Sequence, residues 1–127
     1  MKNNTNVPPA IRFSLREYRL NFNWALLETL DNPRYLQFMF EDRRKLLAIS
    51  GSFEQKKHSF AVPERTYRTA NEECYLSRMP LTEAFRHRMG WNEKNSYRVI
   101  GDYIAHLEIV VFDLTRAKIV GKYDTDN

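Results

Sequence analysis

Four residues within eleven positions carry the chemistry most readily read from this chain: Arg78, Arg86, His87 and Arg88. A guanidinium is planar and permanently charged, and its fork of donors grips a phosphate or a guanine edge with two hydrogen bonds. Grouped along one short helix, such residues would make a surface for a polyanion. Glu83 stands three positions before Arg86 and four before His87, a spacing at which helix neighbours pair, so part of the cluster also fits ordinary helix ion pairing. Arg12, Arg16 and Arg19 are spread over an earlier stretch. Arg12 shares a face with Ser14, opposite Ile11, Phe13 and Leu15, which makes a solvated sheet face its expected setting. The Arg43-Arg44-Lys45 run adjoins Glu41 and Asp42 and fits a charged hairpin tip that resists edge-to-edge pairing. Lys56-Lys57-His58 fits an exposed, solubilising link.

Other chemistries find little support. The single cysteine, Cys74, excludes an internal disulfide and a cysteine-built zinc cage, and its place before a strand suits a buried thiol. His58, His87 and His106 have neither metal-ligand spacing nor a carboxylate pattern around them. Four glycines do not make a phosphate loop. No catalytic residue, metal or cofactor is expected, and the chain does not read as an enzyme. Trp24 and Trp91 flank two short helices, where stacking on a base is conceivable but core packing is the expected role. Tyr35, Phe38 and Phe40 also read as core.

Apolar residues make up 43% of the chain and charged residues 28%, the balance of a globular protein, and 127 residues suffice for one real core. The net charge of +4 is uneven: Met1 to Pro63 holds ten Lys and Arg against six Asp and Glu, whereas Glu64 to Asn127 holds ten of each. That balance permits nucleic acid without diagnosing it. The Asn- and Pro-rich start shows no secretory signal, and no stretch nears the roughly 18 apolar residues of a membrane span. A cytoplasmic location and no membrane partner are expected.

The elements that would position the basic residues come as a repeat. The stretch Tyr18 to Asp31 returns 59 positions later as Ser77 to Gly90. Arg19 matches Arg78 and Ala25 matches Ala84, while Leu20, Phe22, Leu26 and Leu30 find apolar counterparts in Met79, Leu81, Phe85 and Met89. In the first copy, Ile11 to Leu15 and Tyr18 to Phe22 alternate as strands, and Asn23 caps a helix from Trp24 to Leu30. Tyr35 to Phe40 and Leu46 to Ile49 form a hairpin around a charged turn. Ser59 to Val62 suits a short strand. In the second copy, Cys74 to Leu76 leads into a helix over Thr82 to Met89 that Gly90 terminates. Ser96 to Ile100 and Leu107 to Phe112 then form a hairpin about four residues longer than the first, and Asp113 to Val120 suits a last strand or helical turn. A unit this small cannot bury its own apolar face, so two copies imply one shared core with pseudo-twofold symmetry.

This order, with Arg78, Pro80, Arg86-His87 and Met89-Gly90 at their spacing, resembles the AbrB/SpoVT family of swapped-hairpin DNA-binding domains. Two units in one chain resemble the tandem arrangement of MraZ proteins. The resemblance covers about two-thirds of the chain; the first unit carries Leu27-Glu28 and Asp31 where the family has its basic pair and glycine. It implies a mostly β fold of two swapped-hairpin-like units, each with one short helix, sharing a barrel-like core. The units would span residues 11–50 and 74–120, with an arm at 1–10, a linker at 51–73 and a tail at 121–127. It also implies a transcriptional regulator that anchors on the phosphates of double-stranded DNA through Arg19, Arg78, Arg86, His87 and Arg88, possible as a homodimer. The rival is a protein-interaction module of the same fold with no nucleic-acid role.

Overall fold

The computed structural model describes residues 7–64 and 72–120. The expected flexible arm falls largely, and the expected tail wholly, outside those residues, as does the stretch 65–71 of the expected linker. Strand β1 (Ala10–Ser14) reaches β2 (Arg19–Asn23) through a single 3-10 turn, Leu15–Glu17, that Tyr18 closes with a φ of 56°. Helix α1 (Trp24–Thr29) follows at once. Next come β3 (Tyr35–Glu41), β4 (Leu46–Ser52), β5 (Ser59–Ala61) and β6 (Glu73–Ser77). Helix α2 (Met79–Met89) leads to β7 (Ser96–Ile100), β8 (Asp102–Ile104) and β9 (Ile109–Asp113), and a second 3-10 turn, Leu114–Arg116, leads to β10 (Lys118–Val120).

Local chemistry sets these boundaries. The Asn23 side chain accepts a hydrogen bond from the Leu26 amide at 3.1 Å, which caps α1 as its sequence position predicts. The same oxygen accepts from the Ala10 amide at 3.1 Å, and the Asn23 amide donates to the Pro8 carbonyl at 3.0 Å. One side chain thus fixes both the start of a helix and the entry to β1. Helix α2 starts three residues earlier than its sequence suggests, at Met79, because Pro80 falls in the first turn, where a missing N–H costs no helical bond. Gly90 ends it in the left-handed region, with φ 66°.

All strand pairs are antiparallel. The first sheet has the order β10-β7-β1-β2-β6 and the second β5-β3-β4-β9-β8. Alternate residues of both sheets, among them Ile11, Phe13, Leu20, Phe22, Leu47, Ile49, Val110 and Phe112, join Trp24, Leu26 and Leu27 of α1 in one buried core. Phe85 of α2 bridges the sheets, its ring 5.1 Å from Phe13 and 5.3 Å from Phe40.

Two expectations need correction. The core is not a closed barrel: two separate sheets enclose it, each with open edges. Nor do Ser96–Ile100 and residues 107–112 form a hairpin. Strand β7 pairs with β1 and β10 in the first sheet, whereas β9 pairs with β4 and β8 in the second. The chain changes sheets at Gly101, whose amide donates to the Pro9 carbonyl at 2.9 Å. A side chain there would put a Cβ 2.6 Å from Val110 and 2.7 Å from Phe112, so only glycine lets the backbone pass this close to the core.

Candidate nucleic-acid interface

Three of the predicted contact residues sit in the last turn of α2, and two of those three are engaged by carboxylates. Arg86 closes its fork on Glu83, with Nε and a terminal nitrogen 3.1 and 3.0 Å from one carboxylate oxygen. That contact holds the Arg86 pKa above its ordinary value. Arg88 reaches out of the helix to Asp42 in the β3–β4 turn, at 3.3 Å, with its guanidinium 6.0 Å from the Phe40 ring centre. Lys45 also holds Asp42, at 3.1 Å, and the two cations, Lys45 foremost, keep that carboxyl below its usual range. His87 is exposed.

Arg78 precedes α2, donates to the Ser77 carbonyl at 3.2 Å and lies 5.9 Å from the Phe60 ring centre. Its amide donates to the Tyr18 carbonyl, which brings it beside the start of β2 and thus near Arg19. Arg19 lies over the ring of Tyr75, 4.2 Å from its centre. The five residues therefore divide between the first sheet's end (Arg19, Arg78) and the far end of α2 (Arg86, His87, Arg88).

A second basic group appears once strand register is known. Residues paired across antiparallel strands project to the same face. With Phe13, Leu20, Phe22, Tyr97 and Val99 turned into the core, the other face of the first sheet carries Lys118, Arg98, Arg12, Asn21 and Tyr75 in one row across all five strands. The adjoining row carries Ser96, Ser14, Arg19 and Ser77. Glu73 is the one carboxylate among the strand residues of this face. It takes a fork from Arg12, whose other terminal nitrogen donates to the Ser14 hydroxyl at 2.7 Å. Among the described residues neither Arg98 nor Lys118 has a carboxylate partner. Like charges directly opposite on neighbouring strands repel, and Lys118 and Arg98 face each other in this way, whereas Arg12 is paired with Glu73.

No protein-family model, curated protein or solved structure matches the chain.

The geometry of these rows accordingly carries the functional argument alone. Sequence reading placed Arg12 on a solvated sheet face but gave no part to Arg98 or Lys118. The alternation Ser96-Tyr97-Arg98-Val99 was the available signal for Arg98; its neighbours across the sheet were not readable without the pairing of β7 to β1. Neither tryptophan offers a base an open ring. Trp24 is buried, and Trp91 is half-buried, stacked on Tyr97 at 4.4 Å and 5.0 Å from Phe13. Among the described residues no three His, Cys, Asp or Glu side chains gather as a metal site would, and no helix is long and apolar enough to cross a membrane.

Proposed function

We propose that this protein binds nucleic acid by its phosphates, on the outer face of the first sheet. The observation that carries this is the in-register row Lys118, Arg98, Arg12, flanked by Arg19 and the hydroxyls of Ser77 and Ser96. Four cations against one carboxylate make a local positive field, and serine hydroxyls donate readily to phosphate oxygens. Arg78, beside Arg19, extends the face. Arg86 and Arg88, already held by Glu83 and Asp42, would contribute less than their sequence clustering suggests. Double-stranded DNA, the ligand implied by the AbrB-like motif, is the first to test, and a DNA-binding regulator is the role proposed.

The tandem, swapped-hairpin view belongs to the same proposal. It is supported by the antiparallel pairing of strands alike in element order, β2 with β6 before the two helices and β4 with β9 after the two four-residue turns, although the 59-residue offset that aligns the helix ends sets β2 against the start of α2.

One observation favours the rival interaction module. The outer face of the second sheet aligns Met39, Ala48 and Val111, and Met39 is 61% exposed. Exposed apolar patches on sheets commonly meet other proteins.

Anisotropy of labelled duplex DNA, titrated at several salt concentrations, tests the proposal. Binding that falls steeply with salt, and weakens in Arg98→Ala/Lys118→Ala, is the expected result. Absence of binding at low salt would refute phosphate anchoring and leave the interaction module.

A further inference from the structure

We infer that the same face holds an unpaired base, with Tyr75 as its stacking platform, so that single-stranded nucleic acid is the preferred ligand of the phosphate-binding surface proposed above. This rests on that proposal for its phosphate contacts and adds a separate observation for the base. Tyr75 stands at the β6 edge of the basic row and is 44% exposed. It lies on the outward face, so its ring contributes nothing to the core. Arg19 lies 4.2 Å from its ring centre, reaching along the diagonal from the position opposite Ser77. Unpaired bases stack on aromatic rings and on arginine planes alike, and here the two lie side by side.

The layout of the face matches the shape of a single strand. Five strands at about 4.8 Å spacing place the Tyr75 end and the Lys118 end about 19 Å apart. Between them lie Asn21, Arg12 and Arg98, and Arg19 adjoins. A backbone running across the strands would meet the ring and its arginine at one end and successive cations thereafter. Asn21, beside Tyr75 in the row, is buried and accepts from the Ser14 hydroxyl at 3.0 Å, so the ring and Arg19 are the groups a base would meet at this end. A duplex keeps its bases stacked inside and offers Tyr75 nothing to hold; a single strand does.

The experiment uses the full chain with three labelled probes about ten nucleotides long, within the range of such sites: oligothymidylate, an abasic strand of equal length, and a duplex. The proteins are wild type, Tyr75→Leu, Tyr75→Phe and Arg98→Ala/Lys118→Ala. Stacking predicts that Tyr75→Leu weakens oligothymidylate binding between about 5- and 150-fold, while Tyr75→Phe retains it. Duplex affinity should not change in Tyr75→Leu, and wild type should bind the abasic strand no more tightly than Tyr75→Leu binds oligothymidylate. Equal oligothymidylate affinity in wild type and Tyr75→Leu would overturn the stacking site while leaving phosphate anchoring intact if the Arg98/Lys118 variant still weakens binding. Failure of wild type to bind any probe at low salt would overturn both.

Discussion

Asp31 and Gly90, 59 positions apart, each follow the end of a helix in the same left-handed conformation, with φ of 67° and 66°. Asn32 follows Asp31 in the same region, at φ 52°, which no residue next to Gly90 repeats. Lys45 and Glu108 repeat the relation at the ends of the two four-residue turns, with φ of 59° and 56°. Aspartate is among the few residues besides glycine that visit this region, because its short side chain can bond locally. Aspartate thus holds after α1 the conformation that glycine holds after α2.

Glycine at two positions serves two different ends, and substitution separates them. No atom lies within 4 Å of a Cβ built on Gly90, so Gly90→Ala should lose only the left-handed preference, about 1 kcal/mol. Gly101→Ala forces a methyl group against Val110 and Phe112 and should cost more, up to about 3 kcal/mol. Urea unfolding midpoints of the two variants would rank them; equal costs would contradict the steric account of Gly101.

Asn23→Ala removes a helix cap and a tether together. The Leu26 and Ala10 amides lose their acceptor, both in buried surroundings. Loss of the cap costs about 1 kcal/mol, and a stranded buried amide adds about 1–3 kcal/mol. Hydrogen exchange should show faster opening at both Leu26 and Ala10, two points far apart in sequence that yield together.

The two basic groups should differ in their salt response. Each phosphate contact adds about 0.9 to the slope of log affinity against log salt on duplex DNA. Arg98→Ala/Lys118→Ala should reduce that slope by about 2, whereas Arg86→Ala/Arg88→Ala should leave it nearly unchanged, because those cations are neutralised within the protein. The reverse ranking would return the interface to α2.

The contact of Arg88 with Asp42 should dissolve in acid. Lys45 and Arg88 lower the Asp42 pKa, so the stabilisation is present above the ordinary carboxylate range and is lost as pH falls through the depressed folded value, below about pH 4. Side-chain carboxyl chemical shifts followed by NMR should give a midpoint for Asp42 below that of an unpaired aspartate, and Arg88→Ala should raise it. Lys45→Ala should raise it more, since its contact is the stronger cause.

Much of the fold was legible because it is local. Alternation located β1 and β2 within a residue, apolar runs marked β3 and the start of β4, and Asn23 and Gly90 marked helix ends through chemistry confined to a few neighbours. What escaped was partnership at a distance. The hydrophobic pattern of Ser96–Ile100 says that one face is buried, and it is silent on whether β9 or β1 lies alongside. The candidate site suffered for that reason. Arg86, His87 and Arg88 cluster in sequence and drew notice, although Glu83 and Asp42 occupy two of them. Arg12, Arg98 and Lys118 are scattered in sequence and meet only through the sheet.

The passage at Gly101 also sets the timing of folding. Strand β7, from late in the chain, lies between β1, from its beginning, and β10, from near its end. On a ribosome the first half can form β2 beside β1 and β4 beside β3, but β1 keeps an unpaired edge until residues 96–100 have emerged. Neither half can mature alone, because the first sheet is knit only once β7 and β10 have emerged. A protein so interleaved should melt as a single cooperative unit, and during synthesis it would rely on chaperones to shield that open edge.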